Sequence, residues 1–145
     1  MSIRPLTILL AEDNQDHAEL IIDTLKDFNV GNTIVHVNDG EKAIEYLKNK
    51  AAEAEGDSAI PDLVLLDLKM PRMDGASTLR AIREDYRLKH LPVVMVSTST
   101  VEKEINTCFE LGANSYVTKP LQFEEFSRKI KDLNLYWVLT SELPK

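Results

Sequence analysis

Four short runs of the chain end the same way, with a side chain that can do chemistry. Leu63-Val64-Leu65-Leu66 follows Pro61-Asp62 and runs into Asp67, and Thr7-Ile8-Leu9-Leu10-Ala11 runs into Glu12-Asp13. Pro92-Val93-Val94-Met95-Val96 runs into Ser97, and Ser115-Tyr116-Val117-Thr118 into Lys119. Short apolar runs bounded by turn signals read as strands buried on both faces, the kind found inside a parallel sheet. In open parallel sheets, ligands bind at the carboxyl ends of the strands. Three carboxylates at one edge repel one another unless a cation sits among them. Hard oxygen ligands with room for water favour Mg²⁺, held by one or two carboxylates plus a phosphate rather than by an all-protein cage. Asp67, at the end of the most apolar run, is the residue on which this chemistry centres.

The elements that must position these groups alternate. Asn14 to Phe28 carries Ala18, Ile21, Ile22 and Leu25 at helical spacing, and Asn29-Val30-Gly31-Asn32 breaks that helix. Thr33-Ile34-Val35-His36-Val37 is β-branched and reads as strand. Asn38 or Asp39 caps the next helix, whose inner face holds Ala43, Ile44, Leu47 and Ala51 before it frays toward Gly56. Gly56 to Ile60 is a loop. Met70-Pro71-Arg72-Met73-Asp74-Gly75 is a turn, followed by a helix to about Tyr86 with Leu79, Ile82 and Arg83 one turn apart. Ser99 with Glu102 fits a capping box, which starts a helix there with Val101, Ile105, Cys108 and Phe109 inward and Gly112 as its stop. A last helix from Gln122 buries Phe123, Phe126, Ile130 and Leu133. Five strands alternating with five helices imply right-handed βαβ units in an α/β fold. The expected architecture is a flavodoxin-like, doubly wound, five-stranded parallel sheet of order 2-1-3-4-5, with strands one and three flanking the switch point.

Composition narrows the function classes. The 145 residues fit one domain, spanning 1–145, without repeats or an interdomain linker. A net charge of −7 argues against nucleic acid as a partner, because binding the phosphate backbone needs a basic face. No apolar run approaches the roughly 20 residues that span a bilayer, and Ile8-Leu9-Leu10-Ala11 is too short for a signal-peptide core. The expected setting is cytoplasmic, with no membrane contact. Cys108 is the single cysteine, so there is neither an internal disulfide nor a thiolate metal cluster.

With these residues in view, the sequence resembles a receiver domain of a two-component response regulator, over essentially the whole chain. The resemblance implies a phosphoprotein of a phosphorelay: Asp67 as phosphoacceptor, Asp13 as direct Mg²⁺ ligand, Glu12 acting through water and the backbone carbonyl of Lys69 as a further ligand. It implies that Ser97 contacts the phosphoryl group and Lys119 pairs with its oxygens. It further implies a cis peptide between Lys119 and Pro120, and a Tyr116 that turns inward on activation. A carboxylate is a known nucleophile for aspartyl-phosphate chemistry, and the transition state spreads charge over oxygens that a metal, a lysine and a hydroxyl can share. Such a domain is not a conventional enzyme; it catalyses its own phosphorylation and slow autodephosphorylation. The partner implied is a sensor histidine kinase. The C-terminal tail, 134–145, and the long connection before strand three resemble stand-alone regulators paired with phytochrome-type kinases. Lys69 and Ser99, two places beyond Asp67 and Ser97, stand where the family tunes phosphoryl hydrolysis.

Plainer readings stand beside these. Asp67 alone could cap a helix, and Glu12-Asp13 could serve a helix N-terminus. Tyr116 reads as a switch or as packing, Ser99 and Thr100 as caps, and Cys108 as core. His17, His36 and His90 are scattered without ligand spacing and read as structural or surface, as do the Glu/Lys-rich outer faces. As whole-chain alternatives stand a phosphorylation-independent receiver-fold module for protein–protein interaction, and an aspartyl-phosphate hydrolase. A hydrolase of that kind typically has a second Asp two places after the nucleophile, where this chain has Lys69.

The tail generates its own expectation. If the last helix continues, Tyr136, Val138 and Leu139 lie off the stripe formed by Phe123, Phe126, Ile130, Leu133 and Trp137 and become exposed. Exposed apolar patches rich in Trp and Tyr mark interfaces, so Tyr136, Trp137, Val138 and Leu139 are the expected contacts of a symmetric homodimer. The competing arrangement turns the chain at Asn134 and folds these residues back. Sedimentation of wild type and Trp137→Ala, each with and without a phosphoryl analogue, distinguishes them. A dimer lost in the variant is expected; a wild-type monomer at high micromolar concentration removes the tail's role.

Overall fold

The computed structural model describes residues 6–26, 32–53, 60–119 and 122–132. Five strands alternate with five helices: β1 Thr7–Ala11, α1 Gln15–Lys26, β2 Thr33–Val37, α2 Gly40–Glu53 and β3 Leu63–Leu66, then α3 Gly75–Glu84, β4 Val93–Ser97, α4 Glu102–Glu110, β5 Ser115–Thr118 and α5 Phe123–Asp132. All pairings are parallel, in the order β2-β1-β3-β4-β5 expected from the alternation.

Because side chains alternate across a strand, each central strand feeds two cores. Ile8, Leu10, Leu63, Leu65, Val94, Val96 and Val117 pack with Ala18, Ile21 and Leu25 of α1 and Phe126 of α5. Leu9, Ala11, Val64, Leu66, Val93 and Met95 face the other way, onto Ala43 and Leu47 of α2, Leu79 and Ile82 of α3 and Cys108 of α4. Burial on both faces is why these strands lack polar alternation. β2, at the edge, is only half-buried. Among the described residues, no helix is long and apolar enough to cross a membrane.

Side chains cap three helices, one of them as the sequence reading expects. Asn14 Oδ1 accepts from His17 N–H at 3.0 Å, Asp39 Oδ1 from Lys42 N–H at 2.8 Å and Asp74 Oδ1 from Ser77 N–H at 2.8 Å. Of the two candidate caps for α2, Asp39 is therefore the one used. α4 departs from expectation. Its N-cap is Val101, without a side-chain cap, so the Ser99–Glu102 capping box does not form. The Ser99 hydroxyl instead accepts from Val101 N–H, only two residues on, and donates to Glu104. That tight turn delays the helix. Val101, in extended conformation before the helix, is then 54% exposed, and Phe109, a step of about 100° round from Cys108, is 45% exposed. Only the line of Ile105 and Cys108 packs inward. α3 also stops short of Tyr86, which is exposed.

Arg83 takes over where α3 ends. Its guanidinium donates to the carbonyls of Gly112, Lys89 and Leu91 and to Asn114 Oδ1 at 2.7–3.0 Å, tying α3 to the turns before β4 and β5. Asn114 Oδ1 also accepts from Val93 N–H at 2.8 Å. Stop signals at Gly56, the Lys119–Pro120 cis peptide, the side chains of Phe123 and Ile130, and Leu133 with the tail lie outside the described residues. We expect Arg83→Met to lower stability by about 3 kcal/mol, since several carbonyls lose a charged donor at once. Urea unfolding reads this directly, with Arg83→Lys expected between the two.

Candidate functional site

β1 and β3 are neighbours in register, Ala11 beside Leu66, so the residues just beyond them meet at one edge. Backbone bonds extend the ladder past both ends: Asp67 N–H donates to Ala11 C=O and Glu12 N–H to Val37 C=O, each at 3.0 Å. His36 Nε2 lies 2.7 Å from the Glu12 carbonyl, which can only accept, so the imidazole donates. Glu12 is thereby pinned from two sides and fully buried.

The β3–α3 turn is shaped by close approach. Arg72 has φ of 68° and reaches the buried Asp39 with its Nε at 3.3 Å. A Cβ on Gly75 would collide with the Asp67 carbonyl oxygen, so only glycine lets α3 press on the Asp67 backbone.

Around Asp67, charges converge. Glu12, Asp13 and Asp67 each bring a carboxylate oxygen within 4.8 Å of the others. The Lys119 ammonium donates to Glu12 Oε1 and stands 3.5 Å from Asp67 Oδ2. Glu12 Oε2 accepts from Asn14 N–H at 3.1 Å, so both Glu12 oxygens already have protein donors. Asp13 is exposed. The Lys69 amide stands 3.5 Å from Asp67 Oδ1. Burial, and next the Glu12 carboxylate, push the Asp67 carboxyl up to about 7, against the opposing pull of Lys119. Three hard oxygens, one set open to solvent, fit a small divalent cation completed by water.

β4 and β5 supply the other side. Ser97 is buried, and its Oγ accepts from Ser99 N–H at 3.2 Å. Lys119 N–H donates to Ser97 C=O at 2.8 Å, which ties the two strand ends together. Tyr116 is buried, and its hydroxyl donates to Ser99 C=O at 2.7 Å.

The receiver-domain model, described as the response regulator receiver domain, matches residues 8–131. The chain belongs to this family. It is 36% identical over 134 residues to the "Probable methanogenesis regulatory protein FilR2" of Methanothrix harundinacea, covering 92% of this chain and 84% of that protein. It is 32% identical over 140 residues to the response regulator Rcp1 of Synechocystis, covering 97% and 94%. Rcp1 has a solved structure in a Mn²⁺-bound form, with a TM-score of 0.74 and 31% identity over 97% of this chain and all of that one. The phosphorylated cyanobacterial phytochrome response regulator RcpA gives a TM-score of 0.76 and 36% identity over 98% of this chain and all of that one.

In this receiver domain the expected site residues Glu12, Asp13, Asp67, Lys69, Ser97 and Lys119 all lie at one sheet edge. Two histidines read from sequence as structural or surface residues reach this site. His17 Nδ1 is 3.0 Å from Lys119 Nζ and accepts from it, and His36 holds the Glu12 carbonyl. His17 stands three places after the α1 cap Asn14, and His36 pairs with Leu10 one step before the strand end.

The raised Asp67 carboxyl has a sign that can be tested. Its folded value of about 7 lies above the ordinary carboxylate value. Ionisation therefore opposes folding, an effect absent below the unfolded value and fully present above pH 7. Asp67→Asn should raise the thermal midpoint at pH 8 in metal-free buffer and leave it unchanged near pH 4. Equal effects at both pH values would contradict this charge balance.

Proposed function

We propose that this receiver domain accepts a phosphoryl group on Asp67 from a sensor histidine kinase, in a Mg²⁺-dependent reaction, and signals through a change of its surface. The observation that carries this reading is the convergence on one buried carboxylate of two further acids and a buried lysine. An Asp67 oxygen attacks phosphorus in line while the bond to the kinase imidazole breaks and that nitrogen leaves with the electron pair. Lys119, 3.5 Å from Asp67, neutralises a phosphoryl oxygen. Ser97 offers its hydroxyl to another, and the movement draws on Tyr116 through the loop after β4. Asp13, Asp67 and the Lys69 carbonyl would hold Mg²⁺ directly. Glu12, both of whose oxygens have protein donors, would act through water. Bound Mg²⁺ supplies charge neutralisation to the phosphoryl oxygens.

The finer assignments rest on sequence. The tail favours a homodimer, the likeness to RcpA and Rcp1 favours a phytochrome-type kinase, and the lone buried Cys108 fits a cytoplasmic setting. The net charge of −7 argues against nucleic acid as a direct partner.

Incubation with acetyl phosphate, followed by intact mass, is expected to add one phosphoryl group only when Mg²⁺ is present, and none to Asp67→Asn. Asp13→Asn should weaken Mg²⁺ binding more than Glu12→Gln, since a direct ligand costs more to lose than one bridged by water. Failure of wild type to label in Mg²⁺ would favour the phosphorylation-independent interaction module.

A further inference from the structure

Outside the acid cluster, one carboxylate joins three parts of the receiver. Glu104, in the first turn of α4, accepts from the Lys69 ammonium through Oε2 at 3.0 Å and from the Ser99 hydroxyl through Oε1. Lys69 follows Asp67 by two places in the β3–α3 loop, and Ser99 follows Ser97 by two places in the β4–α4 loop. Ser99 in turn presents its carbonyl to the Tyr116 hydroxyl at 2.7 Å. Both hydrogen bonds hold the Glu104 carboxyl below its ordinary value, first that from Ser99 and then that from Lys69. Asp74, the α3 cap, adds a second negative charge on the side of Lys69.

We propose that Glu104 is a positioning residue of the phosphoryl site. It keeps the Lys69 ammonium from the phosphoryl group on Asp67, and it keeps Ser99 where Tyr116 is held inward. The inference rests on the reading of Asp67 as phosphoacceptor. In hydrolysis a water oxygen bonds to phosphorus as the bond to the Asp67 oxygen breaks, releasing inorganic phosphate and restoring the carboxylate. An ammonium on a four-carbon stem, freed two residues away, pairs with a phosphoryl oxygen and narrows the approach of that water. The Lys69 side chain is 67% exposed, and an exposed ion pair is weak and exchangeable. The clamp is therefore a latch rather than a scaffold.

The test uses the full chain as wild type, Glu104→Gln, Lys69→Met and the double variant. Each is loaded with acetyl phosphate and Mg²⁺, freed of donor, and followed by intact mass. Glu104→Gln should lose its phosphoryl group several-fold more slowly than wild type, while Lys69→Met and the double variant decay at the same rate as each other. Wild-type decay in Glu104→Gln, or equal slowing by Glu104→Gln in both Lys69 backgrounds, overturns the role given to Lys69. A second arm needs no phosphoryl group: ring resonances of ¹³C-labelled tyrosine, with Tyr116 identified by Tyr116→Phe. Glu104→Ala should shift Tyr116 and leave Tyr46 and Tyr86 in place; an unmoved Tyr116 overturns the link through Ser99. If wild type takes no phosphoryl group, the Asp67 reading and the hydrolytic half fall together, whereas the tyrosine arm still decides the link to Tyr116.

Discussion

The structure turns on a charge balance at the end of the sheet. Glu12 and Asp67 are buried side by side, and two carboxylates so placed resist ionising together. The Lys119 ammonium, itself buried, sits against both. One positive charge does not balance two carboxylates and a third at Asp13. The edge is thus poised to gain from added positive charge at its open side and from a group that uses the lysine. Burial makes this balance matter, because charges out of water interact strongly and are expensive to leave unpaired.

The rest of the fold exists to hold these groups at that distance. A parallel sheet aligns the carboxyl ends of its strands, and the crossover between β1 and β3 leaves their ends side by side with no helix between. The two-sided cores fix the register, since a slip of one residue would turn every buried strand side chain to the wrong face. Glycine at 75 lets α3 close on the Asp67 backbone, and Gly40 does the same for α2 against the carbonyl of Met73. His36 and His17 finish the placement from neighbouring elements, one on the Glu12 backbone and the other on Lys119.

The opposite flank is built from exchangeable contacts. Ser97 and Lys119 are joined through a backbone bond, and Ser99 shares its atoms among Val101, Glu104 and Tyr116. α4 packs through a narrow line of Ile105 and Cys108 and leaves Phe109 half exposed, lining a cleft shared with Glu125, Arg128 and Lys129 of α5. A helix held by few apolar contacts and several polar ones opens locally at lower cost than one seated in a broad apolar face.

Much was legible in the sequence because the signals were local and redundant. Four apolar runs, a cap at Asn38 or Asp39, and the strict alternation of elements suffice for the parallel sheet and its order, and they place Glu12, Asp13, Asp67, Ser97 and Lys119 at one edge. The start of α4 was not legible. A serine three residues before a glutamate also suits a tight turn, and only the carboxylate of Glu104, brought close by packing, decides where the Ser99 hydroxyl points. The roles of His17, His36 and Arg83 were hidden for a related reason. Each acts on a partner from another element, at separations of 102, 24 and up to 31 residues, and spacing along the chain carries no record of such contacts. Periodicity reports which face of an element is buried; what a polar side chain meets there is settled only when the faces are brought together.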